Sequence, residues 1–406
     1  MGYDSTCFIS GYPVASCLNH VMTDYRDDLV EARLSGVAHN AYSDAMNRLL
    51  QPYTEEDEVT RQDMVLLGPF TPEDAYIHPL DVPREPVDAV RAGLIRAIHD
   101  VVPGGAPGDE TQEAVFTARE TGLKYAARAR RHLAFVNAAA LRILACAAPA
   151  LTVQRLWVLK MKSEPFAERG IGGIDYGPVD QGGHYLQLHA VTADAHFDEW
   201  MVRLLRHGEP TEEDRWEMMM GAGNMWVFVR PDLFPVAEAI AQNGRSAQMR
   251  QIEHHTRRPV DVRPDARRFT FEGLPLDVLL LICSELTFAE ILATSACSHR
   301  LFRTLSPNID SVAYARLSRH ERWYLPPEED TGPWAHDRHW FEQRSAAAWA
   351  AQETLAGRDV GERRFPWFEY AKACRRSPSM RNRARIWHVA KQLEQLACRY
   401  GLFRDT

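Results

Sequence analysis

The side chains of this chain that could do chemistry are scattered, and spacing decides what each group could do. "HFDEW" sets His196 and Glu199 three positions apart, which on a helix places them on one face, a spacing that metal-binding bundles use. A metal site would need a second such pair facing it, so a solvated helix face is the reading here. Asp175 and Asp180, with His184 and His189, bring ligand types into and beside the Gly-rich run "RGIGGIDYGPVDQGGHY" at 169–185, but without a tight ligand spacing. That run lacks the Gly-Lys-Ser/Thr ending of a phosphate loop and any strand–GxGxxG–helix frame, so it reads as a surface loop before a strand. Cys7, Cys17 and His20 fall short of the four ligands of a structural zinc site. His254 and His255 sit in a polar segment and read as surface. No Ser-His-Asp or Cys-His arrangement can be identified, so no catalytic residue, metal or cofactor is expected.

The elements that would position these groups fall into several stretches. At 406 residues, 45% hydrophobic and 25% charged, the chain has material for two or three domains with a real core. A net charge of −8 argues against a nucleic-acid binder as a whole. Residues 1–30 hold neither a basic start nor a continuous apolar core, so no secretory signal is expected, and no membrane partner is expected either. Seven scattered cysteines fit reduced thiols in the cytosol or nucleus.

Helix formers occupy 26–50, interrupted by Gly36. A helix is expected over Val87–Val102, ended by Pro103 and the following glycines. The Ala-, Leu- and Arg-rich run Thr111–Ala147 is expected to be mostly helical. Strands are expected at 155–161, 184–191 and 225–231, each aromatic or β-branched and bounded by turn residues. The helix 194–208 carries Phe197, Met201, Leu204 and Leu205 on one face and stops at Gly208. These make a mixed N-terminal domain, 1–250. An Arg- and Pro-rich stretch at 251–270 reads as a linker. The Trp- and Arg-rich region 308–406 reads as helical. Its longest helix runs from Pro378 to Tyr400, capped by Ser377 and Gly401, with Ile386, Ala390, Leu393, Leu396, Ala397 and Tyr400 on a docking face. The arginines of "RRSPSMRNRAR" at 375–385 read mainly as a solvated face. Cations are not favoured at a helix N-terminus, so a fixed local role for some of them stays open.

Between linker and tail lies "GLPLDVLLLICSEL", Gly273–Leu286, where only Asp277 and Glu285 are charged. It is shorter than the roughly 20 apolar residues that cross a bilayer. With the residues that follow it forms three short helices, over 275–286, 289–296 and 298–305, the last closed by Pro307. Such helices enclose little core. Leaving half a dozen large apolar side chains wet would forfeit on the order of 10 kcal/mol, comparable to the net stability of a domain. Either the flanking parts of the chain cover both faces, or one face meets a separate protein.

The stretch 271–307 resembles the F-box. The pattern is matched at Leu274-Pro275, Val278-Leu279, Ile282, Leu286, Glu290-Ile291, Ser298, His299-Arg300 and Phe302, with apolar replacements at Cys297 and Leu301. The tail segments "WYLPPEED" (323–330) and 365–394, with "GIDYG" at 173–177 and 229–235, are similar to a group of fungal F-box proteins of unassigned role. That group opens with Cys-x-x-Cys, and Ser10 stands here at the second Cys.

The resemblance implies a role and no reaction: docking on a Skp-type adaptor of a cullin–RING ubiquitin ligase, and presentation of a client for ubiquitination. Carried over by position, the adaptor-binding set is Leu274, Pro275, Val278, Leu279, Ile282, Leu286, Ile291 and Leu292. The expected fold class is α+β and predominantly α-helical, with a three-helix motif between a mixed N-terminal domain and a helical C-terminal region. The alternative is an enzyme with its active site in 1–250 and the three helices purely structural. A deep pocket with convergent titratable groups around 169–200 would favour it.

Overall fold

The computed structural model describes residues 6–13, 63–69, 85–104, 115–118, 122, 124–126, 134–163, 171–178, 211, 225–244, 271–327, 335–356 and 364–403. The fold is α+β and mostly helical. It divides into two units, one made of Met1–Leu233 with Arg381–Thr406, the other of Phe234–Met380. The C-terminal helix, Pro378–Arg399, runs across that division. The segment expected as a linker, 251–270, lies outside the described residues, as do 26–50, 184–191 and 194–208.

In the first unit, strands β1 (Thr6–Cys7) and β2 (Tyr12–Pro13) form a small hairpin. Strands β3 (Met64–Pro69), β4 (Ile95–Gly104), β5 (Val115–Ala118), β6 (Lys124–Ala126) and β7 (Ala134–Asn137) form an antiparallel sheet of order β6-β5-β4-β3-β7. β3 is buried at every position, as its unbroken apolar run requires of a strand with no wet face. Register is set by pairs such as Leu67 with Ala97 and Leu66 with Phe135.

Three sequence expectations fail here, each for a local reason. Val87–Val102 is not one helix. Helix α1 spans only Pro86–Arg91, because Gly93 takes φ +70° and the Gly93 and Leu94 N–H groups donate to the carbonyls of Val90 and Ala89. That pair of bonds is a Schellman stop, after which the chain enters β4. In Thr111–Ala147, strands β5, β6 and β7 precede helix α2 (Ala138–Ala147), so sheet pairing overrides an Ala-rich composition. The expected strand at 155–161 lies within helix α3, Val153–Ser163. All of Leu156–Met161 is buried, and a segment enclosed on most sides shows no period that separates strand from helix.

The expected strand at 225–231 is instead a 3₁₀ turn, Met225–Phe228. Its backbone is satisfied by a side chain: Asn382 Nδ2 donates to the carbonyls of Val227 and Val229 at 2.9 and 2.8 Å. The C-terminal helix ends one residue before Tyr400, through a second Schellman pair at Gly401 and Leu402. Ile386, Val389, Ala390, Leu393 and Ala397 enter the core of this unit, whereas Tyr400 is exposed.

The second unit is all-helical among the described residues. After a helical stretch at 236–244 come α4 (Leu276–Glu285), α5 (Phe288–Ala296), α6 (His299–Leu305), α7 (Ile309–His320), α8 (Ala335–Ala356) and α9 (Trp367–Arg376). Pro307 does not close the motif as expected. A 3₁₀ turn at Ser306–Asn308 leads into α7, whose Val312, Ala313 and Leu317 join Leu279, Cys283, Ile291 and Leu301 in one core. Phe341, Phe365, Trp367 and Tyr370 pack ring to ring, with centroids 4.5–6.3 Å apart. Trp349 is buried in the same core and Trp340 and Phe368 pack against it, whereas Tyr314 is exposed.

Candidate functional site

Helices α4, α5 and α6 are each apolar on two sides. In α4, Leu279, Cys283 and Ser284 point inward, and burial raises the Cys283 thiol above its ordinary range. Outward stand Leu276, Val278 and Leu281, at 45%, 39% and 52% exposure. In α5, Phe288 and Ile291 are buried, while Ala289, Leu292, Ala293 and Ala296 form an exposed apolar strip. In α6, Leu301 and Leu305 point in and Phe302 points out.

Local chemistry fixes these helices. Pro275 precedes the first turn of α4, where its lack of an N–H costs nothing. Thr287 opens α5 with a capping box: its hydroxyl accepts from Glu290 N, and the Glu290 carboxylate accepts from Thr287 N at 2.7 Å. That backbone hydrogen bond holds Glu290 below its usual carboxylate range. Ser298 caps α6 by accepting from Leu301 N.

The far end of α4 is clasped to α7. Arg319 Nη1 donates to Glu285 at 2.7 Å, His320 Nε2 lies 2.9 Å from the other carboxylate oxygen, and Arg316 Nη1 donates to the Glu285 carbonyl. Glu285 is held low, first by the Arg319 hydrogen bond. The guanidinium groups of Arg375 and Arg316 lie 4.6 and 5.8 Å from the centroid of the buried Phe288 ring. Glu321 pairs with both arginines. The inward faces are thus held by their own unit.

The eight residues of the carried-over docking set separate into three groups. Leu279 and Ile291 are buried in the core of the unit. Leu274, Ile282 and Leu286 are half-buried, and Leu286 packs on that core. Pro275, Val278 and Leu292 are exposed. The structure adds Leu276, Leu281 and Phe302 to the outward set. A signal for Leu281 was present: it lies four residues from both Asp277 and Glu285, so charged neighbours on its own stripe mark the solvent side.

The other candidate groups resolve differently. Asp175 is part of a turn, its carboxylate accepting from Gly177 N, and its backbone exchanges hydrogen bonds with the Gln392 side chain. Cys7 Sγ accepts from the N–H groups of Ser10 and Asn137, and Ser10 Oγ donates to Asn137 Oδ1 at 2.8 Å. The arginine run is not simply a solvated face, since Arg383 and Arg385 are buried. Arg385 donates to the carbonyls of Ser10 and Tyr176 and to Asn382 Oδ1, and desolvation pushes it down to about 10. Asp180, His184, His189, His196, Glu199, His254, His255, Cys17 and His20 lie outside the described residues. Among the described residues no three His, Cys, Asp or Glu side chains gather as a metal site, and no helix is long and apolar enough to cross a membrane.

No protein-family model, curated protein or solved structure matches this chain.

Proposed function

We propose that the chain is an F-box-type adaptor that docks through the outward faces of α4, α5 and α6 on a Skp-type subunit of a cullin–RING ubiquitin ligase. Surfaces outside 271–307 then present a client protein for ubiquitination, in cytosol or nucleus. In this role the chain is a receptor and not a catalyst, and needs no cofactor.

One observation carries the reading. Of the nine large hydrophobic residues exposed among the described residues, seven lie between Phe271 and Tyr314. Such a concentration marks an interaction surface more than chance exposure. Removing the remaining wet surface of Leu276, Val278, Leu281, Leu292 and Phe302 returns on the order of 5 kcal/mol before association costs. That amount is sensible for a partner helix or groove.

The test uses positions that leave the fold alone. Full-length wild type is mixed with a purified Skp-type adaptor and followed by pull-down and size exclusion. A Leu281→Asp, Leu292→Asp double variant is expected to lose the complex while keeping its circular dichroism spectrum. Leu355→Asp, at a site 81% exposed on α8, is expected to retain it. Failure of the wild type to bind, or undiminished binding by the double variant, overturns the proposal.

A further inference from the structure

One carboxylate oxygen serves two arginines at the inner corner where α4 and α5 meet α7 and α9. Arg316 of α7 is only 8% exposed. Its Nη1 donates to the carbonyl of Glu285, the last residue of α4, and its Nη2 to Glu321 Oε1 at 3.4 Å. Arg375, in the last turn of α9, donates to the same Oε1 at 2.7 Å. Both guanidinium groups lie near the buried Phe288 ring of α5.

The sharing is uneven. Arginine and carboxylate commonly meet through two parallel bonds, one to each oxygen. Here Arg316 makes one long bond, while its Nε and Glu321 Oε2 are both buried and have no hydrogen-bond partner among the described residues. A buried donor and a buried acceptor are each costly to leave unmet. These two are complementary, and they sit on side chains that already touch. The shorter bond draws the shared oxygen towards Arg375. The competing pairs also differ in setting: the Arg375 side chain is 41% exposed and that of Arg316 10%. Water and salt therefore weaken the Arg375 pair more than the Arg316 pair.

We infer that Glu321 is a two-position latch. In the position described, Arg375 and Arg316 share Oε1. In the other, both oxygens turn to Arg316, Oε1 on Nη2 and Oε2 on Nε, and Arg375 is released to solvent at the end of α9. Arg316 carries the change to the last carbonyl of α4 and to the ring beneath α5. A charge at one surface position, 375, thus sets how firmly that corner is held. The latch belongs to the fold of this unit and does not depend on whether the outward faces meet an adaptor.

The experiment follows the Arg316 Nε–H proton by NMR in the full chain, with arginine labelled with nitrogen-15 and the signal assigned by its loss in Arg316→Lys. Arg375→Met keeps the length of the side chain and removes the competing donor. In that variant the proton is expected to move downfield and to exchange with water about tenfold more slowly, the size of effect of one hydrogen bond to a charged group. Its circular dichroism should match wild type, since position 375 is exposed. A second measurement needs no variant. Raising salt from about 0.01 to about 1 M shortens the screening length from about 30 to about 3 Å, and should move the wild-type signal in the same direction by a smaller amount. A signal that neither shifts nor slows in Arg375→Met overturns the inference, as does a wild-type signal that salt moves the other way. A crystal structure with one ordered water on both Nε and Oε2 would also overturn it, because both groups would then be met without any movement.

Discussion

The C-terminal helix and α4 reverse what their compositions suggest. The C-terminal helix carries Arg381, Arg383, Arg385 and Arg399, yet Arg383 and Arg385 are buried. α4 carries only Asp277 and Glu285 as charges, yet leaves three large aliphatic side chains in water. The two cases have different physical standing. A buried guanidinium is tolerable where carbonyl and amide oxygens meet its donors, and Ser10, Tyr176, Asn382 and Pro231 supply them. An exposed leucine has no equivalent compensation among the described residues. Burial in the first helix is explained from inside the protein. Exposure in the second is what the proposed docking would use.

The sharpest way to break that contrast is at Arg385. Replacing it with Ala strands two carbonyls and an amide oxygen that are otherwise satisfied, at about 1–3 kcal/mol for each group left unpaired. The expected loss is about 3–5 kcal/mol, read as a lower urea midpoint for the sheet unit. A loss under about 1 kcal/mol would mean that water replaces the guanidinium freely, and the site is not the polar core described.

Ile291 and Leu292 sharpen the comparison within one helix, being neighbours in sequence with opposite fates. Ile291 is fully buried and Leu292 is 49% exposed. Ile291→Ala is expected to cost about 2–4 kcal/mol through lost transfer energy and a cavity. Leu292→Ala should stay within about 0.5 kcal/mol. Equal effects from the two would erase the outward face of α5.

These residues also show how far sequence reading reaches. The helices of the middle region were legible because a start signal such as Pro275 is local; the Thr287–Glu290 capping box and the Ser298 cap, which the structure shows, are local signals of the same kind that the sequence reading did not use. The C-terminal helix was legible for the same reason, from Ser377 to Gly401. What failed depended on distant partners. Leu156–Met161 reads as a strand until its surroundings are known, and Met225–Phe228 is held by Asn382, more than 150 positions away. The inward and outward residues of α4 were mixed for a related reason. With both sides apolar, the amphipathic signal shrinks, and only Asp277 and Glu285 orient the helix.

Smaller effects test how α4 and α5 are fixed. Thr287→Ala removes one half of the capping box and is expected to cost about 1 kcal/mol, visible as faster hydrogen exchange in the first turn of α5. The Glu285 clasp gives a pH dependence whose sign follows from its lowered pKa. A carboxyl group held low in the folded protein contributes stability above its ordinary value of 4.5, and that contribution fades as pH falls through the lowered folded value. Denaturation midpoints of wild type and Glu285→Gln should therefore differ most near neutral pH and converge in acid. A gap that widens on acidification would reverse the assignment of Glu285 as the charged partner of Arg319.

The smallest expected change in stability is the one that carries most for function. Leu281 is 52% exposed on the stripe that also holds Asp277 and Glu285, so a carboxylate at 281 can be hydrated without entering the core. Leu281→Asp alone should leave the urea midpoint of the isolated chain within about 0.5 kcal/mol of wild type. It should also reduce self-association at high concentration, since an apolar patch loses its centre. In the presence of an adaptor the same substitution desolvates a charge at the interface and should weaken the complex by about 2 kcal/mol or more. The separation of the two numbers is the point. If stability and binding fall together, Leu281 belongs to the fold as Leu279 does, and α4 has no face left to give a partner. If only binding falls, the oily helix is apolar on its outer side for the partner's benefit, as the C-terminal helix buries arginines near its start for the fold's own.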